Sequence, residues 1–444
     1  MTLHLARLAV TAAAALLPAS AGLAATGYEL ETIALQAAPA PGTADAWGEF
    51  LDVALDESGR VAFGAPLAAG FPNAGVWVDP GTGPELRVRN GHPAPAPQVG
   101  SYLAFGSFAR LDDSGRLGFA AVLTGGIDGI FLDTAGTDSV LVAEGHAAPT
   151  PPGGTFPGGI SDLGFFGMNA AGDMSFRSNV TGGSHARGVF VRSAGGSLSM
   201  VVGDGDPVGG GPETFTSFGY PAINDVGDLA YSAETSGGPA SPGLFRDTGG
   251  GAMPLALAGD PAPGTGGGTL VDFLYPAIGA GGEVVFLANI AGSSATGGLF
   301  VASPAVASVV VEGQSIAGAG PVSVMSSLPA ISGDGAIAMS LAFASGPVSG
   351  GVYVHDAGNF MPVALAGEVP PDTGGAQLAS FGIVSRNDAG QVAFVATLGD
   401  ARTGVFLATP MAPPQIPLLP GAALPALGLA LAVSARLVRR RPTG

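Results

Sequence analysis

Asp56-Glu57-Ser58-Gly59-Arg60-Val61-Ala62-Phe63 is the stretch that decides the fold, because its skeleton returns six more times along the chain. The returns are Asp112-x-x-Gly115-x-x-Gly118-Phe119, Asn169-x-x-Gly172-x-x-Ser175-Phe176, Asn224-x-x-Gly227-x-x-Ala230-Tyr231, Gly279-x-x-Gly282-x-x-Val285-Phe286, Ser332-x-x-Gly335-x-x-Ala338-Met339 and Asn387-x-x-Gly390-x-x-Ala393-Phe394. The turn glycines stand 56, 57, 55, 55, 53 and 55 residues apart. A fixed period of this length marks a repeat architecture, in which each unit is one supersecondary block. Within the unit, Asn or Asp caps a tight turn through its own side chain, and Gly takes the positive-φ position that closes a hairpin. The small residue and the aromatic then open a strand that buries one face.

Outward from the turn, a second mark follows each turn glycine by 14 to 16 residues: Gly75-Val76-Trp77, Gly129-Ile130-Phe131, Gly188-Val189-Phe190, Gly243-Leu244-Phe245, Gly298-Leu299-Phe300, Gly351-Val352-Tyr353 and Gly404-Val405-Phe406. Another strand starts there, and a further apolar run ends in a Gly/Pro-rich loop. Each unit therefore holds four strands: A before the turn, B after it, C at the Gly-aromatic mark and D before the loop. Four strands in about 55 residues is the size of a propeller blade. The first such segment, residues 28–35 with Pro39-Ala40-Pro41-Gly42, reads as an orphan D strand, and the last repeat stops after its C strand. Pairing the two closes a ring of seven whole blades without an open edge. The expectation is an all-β, seven-bladed propeller with four-stranded blades over residues 28–408.

On these motifs the chain resembles the tandem-repeat family of bacterial surface proteins named for its Asn-x-x-Gly-x-x-Ala-Phe motif. The resemblance spans residues 28 to about 408, and it implies no known activity.

The two ends read as export signals. Residues 1–25 combine a weakly basic start (His4, Arg7), an apolar run over 8–17 and small residues over 19–25, the make-up of a secretory signal peptide cleaved near Ala21 or Ala24. A Pro-rich linker over 409–415 leads into residues 416–444. There an uncharged stretch, 416–435, is long enough to form a transmembrane helix, and Arg436 with Arg439-Arg440-Arg441 follows to hold the C-terminus in the cytoplasm. Ile416-Pro417-Leu418-Leu419-Pro420-Gly421-Ala422, then span, then Arg cluster, resembles the PEP-CTERM class of sorting signals in its Val-Pro-Leu-Pro-Ala variant, with an extra Leu and Gly inside the motif. That resemblance implies a sorting peptidase of the exosortase kind as partner, passage through the inner membrane, and a destination in the envelope or on the surface of a Gram-negative bacterium.

Charge and composition narrow the function. No Lys occurs, and 5 of the 16 Arg lie in the terminal segments, so the body carries 11 Arg against 34 acids, a net charge of −23. Such a field repels phosphate backbones and makes nucleic acid a poor partner. With no Cys, disulfides and thiol chemistry are excluded. The phosphate-binding loop lacks its Lys, and neither a His-Glu-x-x-His helix nor a Gly-x-Ser-x-Gly elbow is present.

What remains is a ring of polar residues just after the D strands. His92 and His146 follow the D-strand Gly in successive repeats, where later repeats carry Asp206, Asp260, Gln314 and Glu368, and Glu144, Asp204 and Glu312 stand two residues before. Either this is turn chemistry repeated and solvated, or its oxygens form a Ca²⁺ or sugar site on the usual ligand face of a propeller. Aromatics ahead of the A-to-B turn, Phe108, Phe165, Tyr220 and Tyr275, either pack blade on blade or line the channel and stack on sugars. The leading functional expectation is a non-catalytic surface or matrix protein that binds or organises extracellular polymer such as polysaccharide. The alternatives are a secreted propeller enzyme acting on carbohydrate and a structural spacer.

Overall fold

The two marks of each repeat lie directly opposite one another on neighbouring antiparallel strands. Phe63 faces Trp77, Phe119 faces Phe131, Phe176 faces Phe190, Tyr231 faces Phe245, Phe286 faces Phe300, Met339 faces Tyr353 and Phe394 faces Phe406. Six of these pairs are stacked aromatics with ring centroids 5.5–6.1 Å apart. Cross-strand aromatic pairs of this kind are the unit that stabilises a sheet, so the repeat places its largest side chains where they lock strand B to strand C.

The structure is a computed structural model that describes residues 27–411 apart from 71–72, 159–164, 239–240 and 326–327. The expected signal peptide, and the expected C-terminal sorting segment with its helix, lie outside the described residues. Among the described residues no helix is long and apolar enough to cross a membrane.

Seven sheets follow one another along the chain. Blade one comprises Ala54–Leu55, Val61–Pro66, Ala74–Asp79 and Glu85–Arg89. Blade seven comprises Leu378–Arg386, Val392–Leu398 and Thr403–Pro410, and its outer strand is the N-terminal Tyr28–Leu35, which pairs with Thr403–Pro410. The ring is therefore closed by the chain's first strand, as the repeat register requires. Gly404 shows how tight the seam is. A Cβ there would sit 2.7 Å from the Phe406 ring and 3.2 Å from the Ala34 carbonyl oxygen.

The expectation of four strands in every blade needs correction: among the described residues four sheets have four strands, two have five and one has six. The innermost strand is the one that breaks. In blade four it is split into Thr214–Phe218 and Ala222–Ile223, and in blade six into Gly320–Met325 and Ala330–Ile331. Pro221 and Pro329 immediately precede the second pieces, and proline has no N–H to give the ladder. Blade five is split into Thr269–Leu270 and Leu274–Ile278, with Pro276 in a register gap between Leu274 and Ala277.

The core is seven separate clusters, each between consecutive blades. Adjacent residues of the motif point into different clusters. Phe63 packs with Ala393 and Val405 of blade seven, whereas Ala62 lies against Phe119 and Phe131 of blade two. Tyr231 packs on Val189 and Val202 of blade three, while Ala230 meets Phe286 and Phe300 of blade five. The small residue thus makes room for the next blade's aromatic pair, which is why a small-aromatic dipeptide recurs.

Candidate functional site

The seven turns gather at one end of the axis, where hydrogen bonds tie six of the seven neighbouring pairs among the described residues. The turn glycines all hold φ between +79° and +89°. Asn169 Nδ2 donates to the Asn224 carbonyl (3.0 Å), Asn224 Nδ2 to that of Gly279 (2.8 Å) and Asn387 Nδ2 to that of Asp56 (3.0 Å), each in the following blade. Asp56 and Asp112 have no such donor, and an arginine four residues on supplies it. Arg60 and Arg116 bridge to their own aspartates and reach on to the carbonyls of Asp113 (2.7 Å) and Ala171 (2.9 Å). The next position adds a second tier, in which the Asp388 N–H donates to Glu57, Glu57 N–H to Asp113, Ala170 N–H to Asp225 and Gly333 N–H to Asp388. Burial first, and then the neighbouring carboxylates, push Glu57 and Asp113 above the ordinary carboxylate range.

The ring expected to carry a ligand lies in the D-to-A loops. His92, His146, Asp206, Asp260, Gln314 and Glu368 each close a turn by donating their N–H to the carbonyl three residues back. Four then return the side chain to the same turn: Asp206 accepts from the Gly203 N–H (2.7 Å), Asp260 from Leu257 (2.8 Å), Gln314 from Val311 (3.2 Å) and Glu368 from Leu365 (3.2 Å). Asp204 accepts the amides of Ala186 and Arg187 (2.8 and 3.0 Å), and Glu312 accepts the Thr296 amide and hydroxyl (2.9 and 2.5 Å). Both brace the start of strand C, and those Thr296 bonds hold Glu312 below the usual carboxylate range. The Glu144 N–H donates to the Asp128 carbonyl (2.8 Å). His146 stands 3.0 Å from Gln98, and His92 3.4 Å from Arg89. Burial lowers the pKa of both histidines. His185, which the repeat register does not single out, joins two members of the ring, with Nδ1 2.7 Å from the Asp204 carbonyl and Nε2 3.8 Å from Asp206 Oδ1. Among the described residues no three His, Cys, Asp or Glu side chains gather to hold a metal ion.

The open space lies on the axis instead. A cavity of about 290 Å³ is lined by the innermost strands of all seven blades. Its wall includes, in blades three to seven, the residue four before the first residue of the turn motif: Phe165, Tyr220, Tyr275, Leu328 and Ile383. The side chain of Phe108 lies outside the description. Phe165 and Tyr220 stack on each other at 4.0 Å, and Arg177 covers Tyr220 at 4.3 Å, so this pair packs across blades as well as lining the channel. Tyr275 differs: no described ring packs on it, and its φ of +49° is a conformation uncommon for an aromatic. At the same position in blade one, Asp52 turns into the wall and accepts from the Gly64 N–H (3.1 Å) and the Ala109 N–H (2.8 Å). Burial pushes its carboxyl up to about 6, against those two bonds and the Arg110 guanidinium. Arg110 and Arg386 also reach the cavity. The latter spans Asp334 at 2.7 and 2.9 Å. Sequence reasoning passes over both because nothing in the repeat marks them.

Closed pairing, seven blades and an axial cavity define a seven-bladed β-propeller. The chain belongs to the family of unknown function DUF7453, which it matches over residues 18–321 and 239–409. No curated protein matches it. Solved structures similar to it include a puromycin hydrolase (13% identity, TM-score 0.45, covering 83% of this chain and 53% of that one). Others are a puromycin-hydrolyzing peptidase of Mycobacterium tuberculosis (12%, 0.48, 87% and 57%) and PorZ, a bacterial surface component of the type-IX secretion system of Porphyromonas gingivalis (12%, 0.42, 82% and 48%). The chain spans little more than half the length of the first two.

Proposed function

We propose that this is an exported, surface- or matrix-associated propeller without catalysis of its own, which binds and helps organise extracellular polymer. The axial cavity carries the reading. Its walls, in which apolar side chains alternate with the polar Arg110, Ser385 and Arg386, and the Tyr275 ring, held in a left-handed backbone conformation, suit the apolar faces and hydroxyls of a saccharide, as a stacking platform does. Strained conformations cluster at ligand sites. Export rests on the terminal segments, 1–25 and 416–444, whose sequences match a signal peptide and a sorting signal read by an exosortase-like peptidase at the inner membrane. A carbohydrate-cleaving enzyme needs two carboxylates at work across a cleft. The axial carboxylates Glu57, Asp113, Asp225 and Asp388 instead accept backbone amides of neighbouring blades, which favours binding over hydrolysis.

The test is titration of the full exported protein with polysaccharide from the host surface, with and without Ca²⁺. Binding that Tyr275→Ala weakens about fivefold or more supports the reading, that being the scale of one aromatic contact. Absence of binding, together with unchanged surface polymer and adhesion in a deletion strain, points to a spacer and overturns it.

A further inference from the structure

We propose that the cleft between blades three and four is an anion site, where two arginines locally offset the −23 net charge of the body to take the carboxylate or sulfate group of an acidic polysaccharide. Blade three comprises Phe166–Met168, Met174–Asn179, Arg187–Arg192 and Leu198–Gly203. Arg177 and Asn179 lie two apart on its second strand, and Arg187 is the cross-strand partner of Asn179, so the three share one face of the sheet. That face looks toward blade four, where the Arg177 Nη1 donates to the Phe218 carbonyl at 2.7 Å. Between them lies a pocket of about 180 Å³, lined by Arg177, Ser178, Asn179, Arg187, Ser217 and Phe218 among others.

Three observations point to an anion. First, among the described residues neither Arg177 nor Arg187 forms an ion pair, a property they share with Arg89 and Arg192, whereas Arg60, Arg87, Arg116, Arg246, Arg386 and Arg402 each form one. Arg177 is half-buried and Arg187 exposed, and both line the pocket with no carboxylate paired to either guanidinium. The carboxylates nearby are engaged elsewhere: Glu234 accepts from the Ser217 hydroxyl at 3.0 Å, and Asp204 accepts the Arg187 amide. Second, the Arg177 Nε is enclosed from solvent with no acceptor. The Nε atoms of Arg246 and Arg386 are likewise without an acceptor, and at Arg177, which lines the pocket, a bound oxyanion would supply one. Third, the repeat shows that both arginines are particular to this blade. The positions equivalent to Arg177 are Gly64, Ala120, Ser232, Leu287, Ser340 and Val395, and those equivalent to Arg187 are Ala74, Asp128, Pro242, Gly297, Gly350 and Thr403. The scaffold therefore does not need them.

The cleft also touches the channel wall. Arg177 covers the ring of Tyr220, which stacks on Phe165, and both rings line the axial cavity. A polymer with one ring in the channel and an acidic neighbour at the cleft would use both, so the choice of polymer rests on the function proposed above, whereas the anion site itself does not.

The experiment uses the full chain and three probes: inorganic sulfate, a hexauronate and a neutral hexasaccharide. Nuclear magnetic resonance of the arginine Nε–H groups reads the pocket directly, and calorimetry reads the oligosaccharides. Sulfate is expected to move the Arg177 Nε–H signal in the wild type and not in Arg187→Gln, a substitution at an exposed position. The hexauronate is expected to bind more tightly than the neutral oligomer, to lose affinity with added salt, and to bind Arg187→Gln about tenfold more weakly, the scale of one charge-assisted hydrogen bond. If sulfate and hexauronate both leave the arginine signals unmoved, or Arg187→Gln binds hexauronate like the wild type, the anion site is overturned. Binding of the neutral oligomer would then still support the polymer reading. If sulfate moves the signal but neither oligosaccharide binds, the anion site stands and the polymer reading falls.

Discussion

The two ends of the propeller spend the same kinds of polar side chain in opposite ways. At the turn end, Asn169, Asn224 and Asn387 each cap their own turn and reach into the next blade. At the loop end, Asp206, Asp260, Gln314 and Glu368 fold back on the turns that carry them. The first arrangement stitches the ring together, whereas the second turns these four side chains back on their own loops, although His146 and Gln98 still meet across neighbouring loops. A repeat protein is stabilised by the sum of its units and the interfaces between them. Polar substitutions at the turn end should therefore weaken the ring, whereas those at the loop end should be nearly silent.

The largest effect should come from Asn387→Ala, which removes the buried side chain that accepts from Gln391 and donates to Asp56 across the seam between the last blade and the first. A loss of about 2–4 kcal/mol is expected in chemical denaturation, since buried partners are left unsatisfied. Nearly unchanged stability would mean that the turn end is not the stitched one.

Between the two ends, Asp52 should make stability depend on pH. Its folded carboxyl titrates near 6, above the ordinary 3.8, so the folded protein holds the proton more tightly than the unfolded chain. The stabilisation is complete below about pH 4 and is lost as pH rises through 6, by up to about 3 kcal/mol. Asp52→Asn should flatten that part of the profile of unfolding free energy against pH. A profile of unchanged slope in the variant would place the titration elsewhere.

The smallest effect belongs to the loop end. Asp260→Ala removes one acceptor for the Leu257 amide on a partly buried turn and should cost no more than about 1 kcal/mol. A larger loss would show that the loops also hold the ring and would erase the contrast between the ends.

Much of the fold is legible in the order of the residues. The turn motif marks the A-to-B hairpins, the Gly-aromatic motif marks strand C, and their constant spacing places Phe63 opposite Trp77 and Phe394 opposite Phe406. These are short-range facts, set by hydrogen bonds and side-chain periodicity within about 20 residues, and strand geometry carries them. The breaks in the inner strand have a local signal too, in Pro221, Pro276 and Pro329, because proline cannot donate to a ladder. The side-chain bonds at the loop end have none, because whether Asp260 faces a ligand or its own backbone is a choice of rotamer.

From the sequence alone come the sevenfold period, the strands, the small-aromatic alternation that lets blade pack on blade, and the orphan first strand that completes the last sheet. All of these repeat locally or close by register. Only the tertiary structure decides contacts between units, such as Asp388 with Glu57 across 331 residues, the placing of Tyr275 in the channel wall, and Arg177 and Arg187 in one pocket facing blade four. Those contacts depend on how seven sheets twist around a common axis, and a repeat motif says that its units are alike without saying which odd residues the ring will bring together.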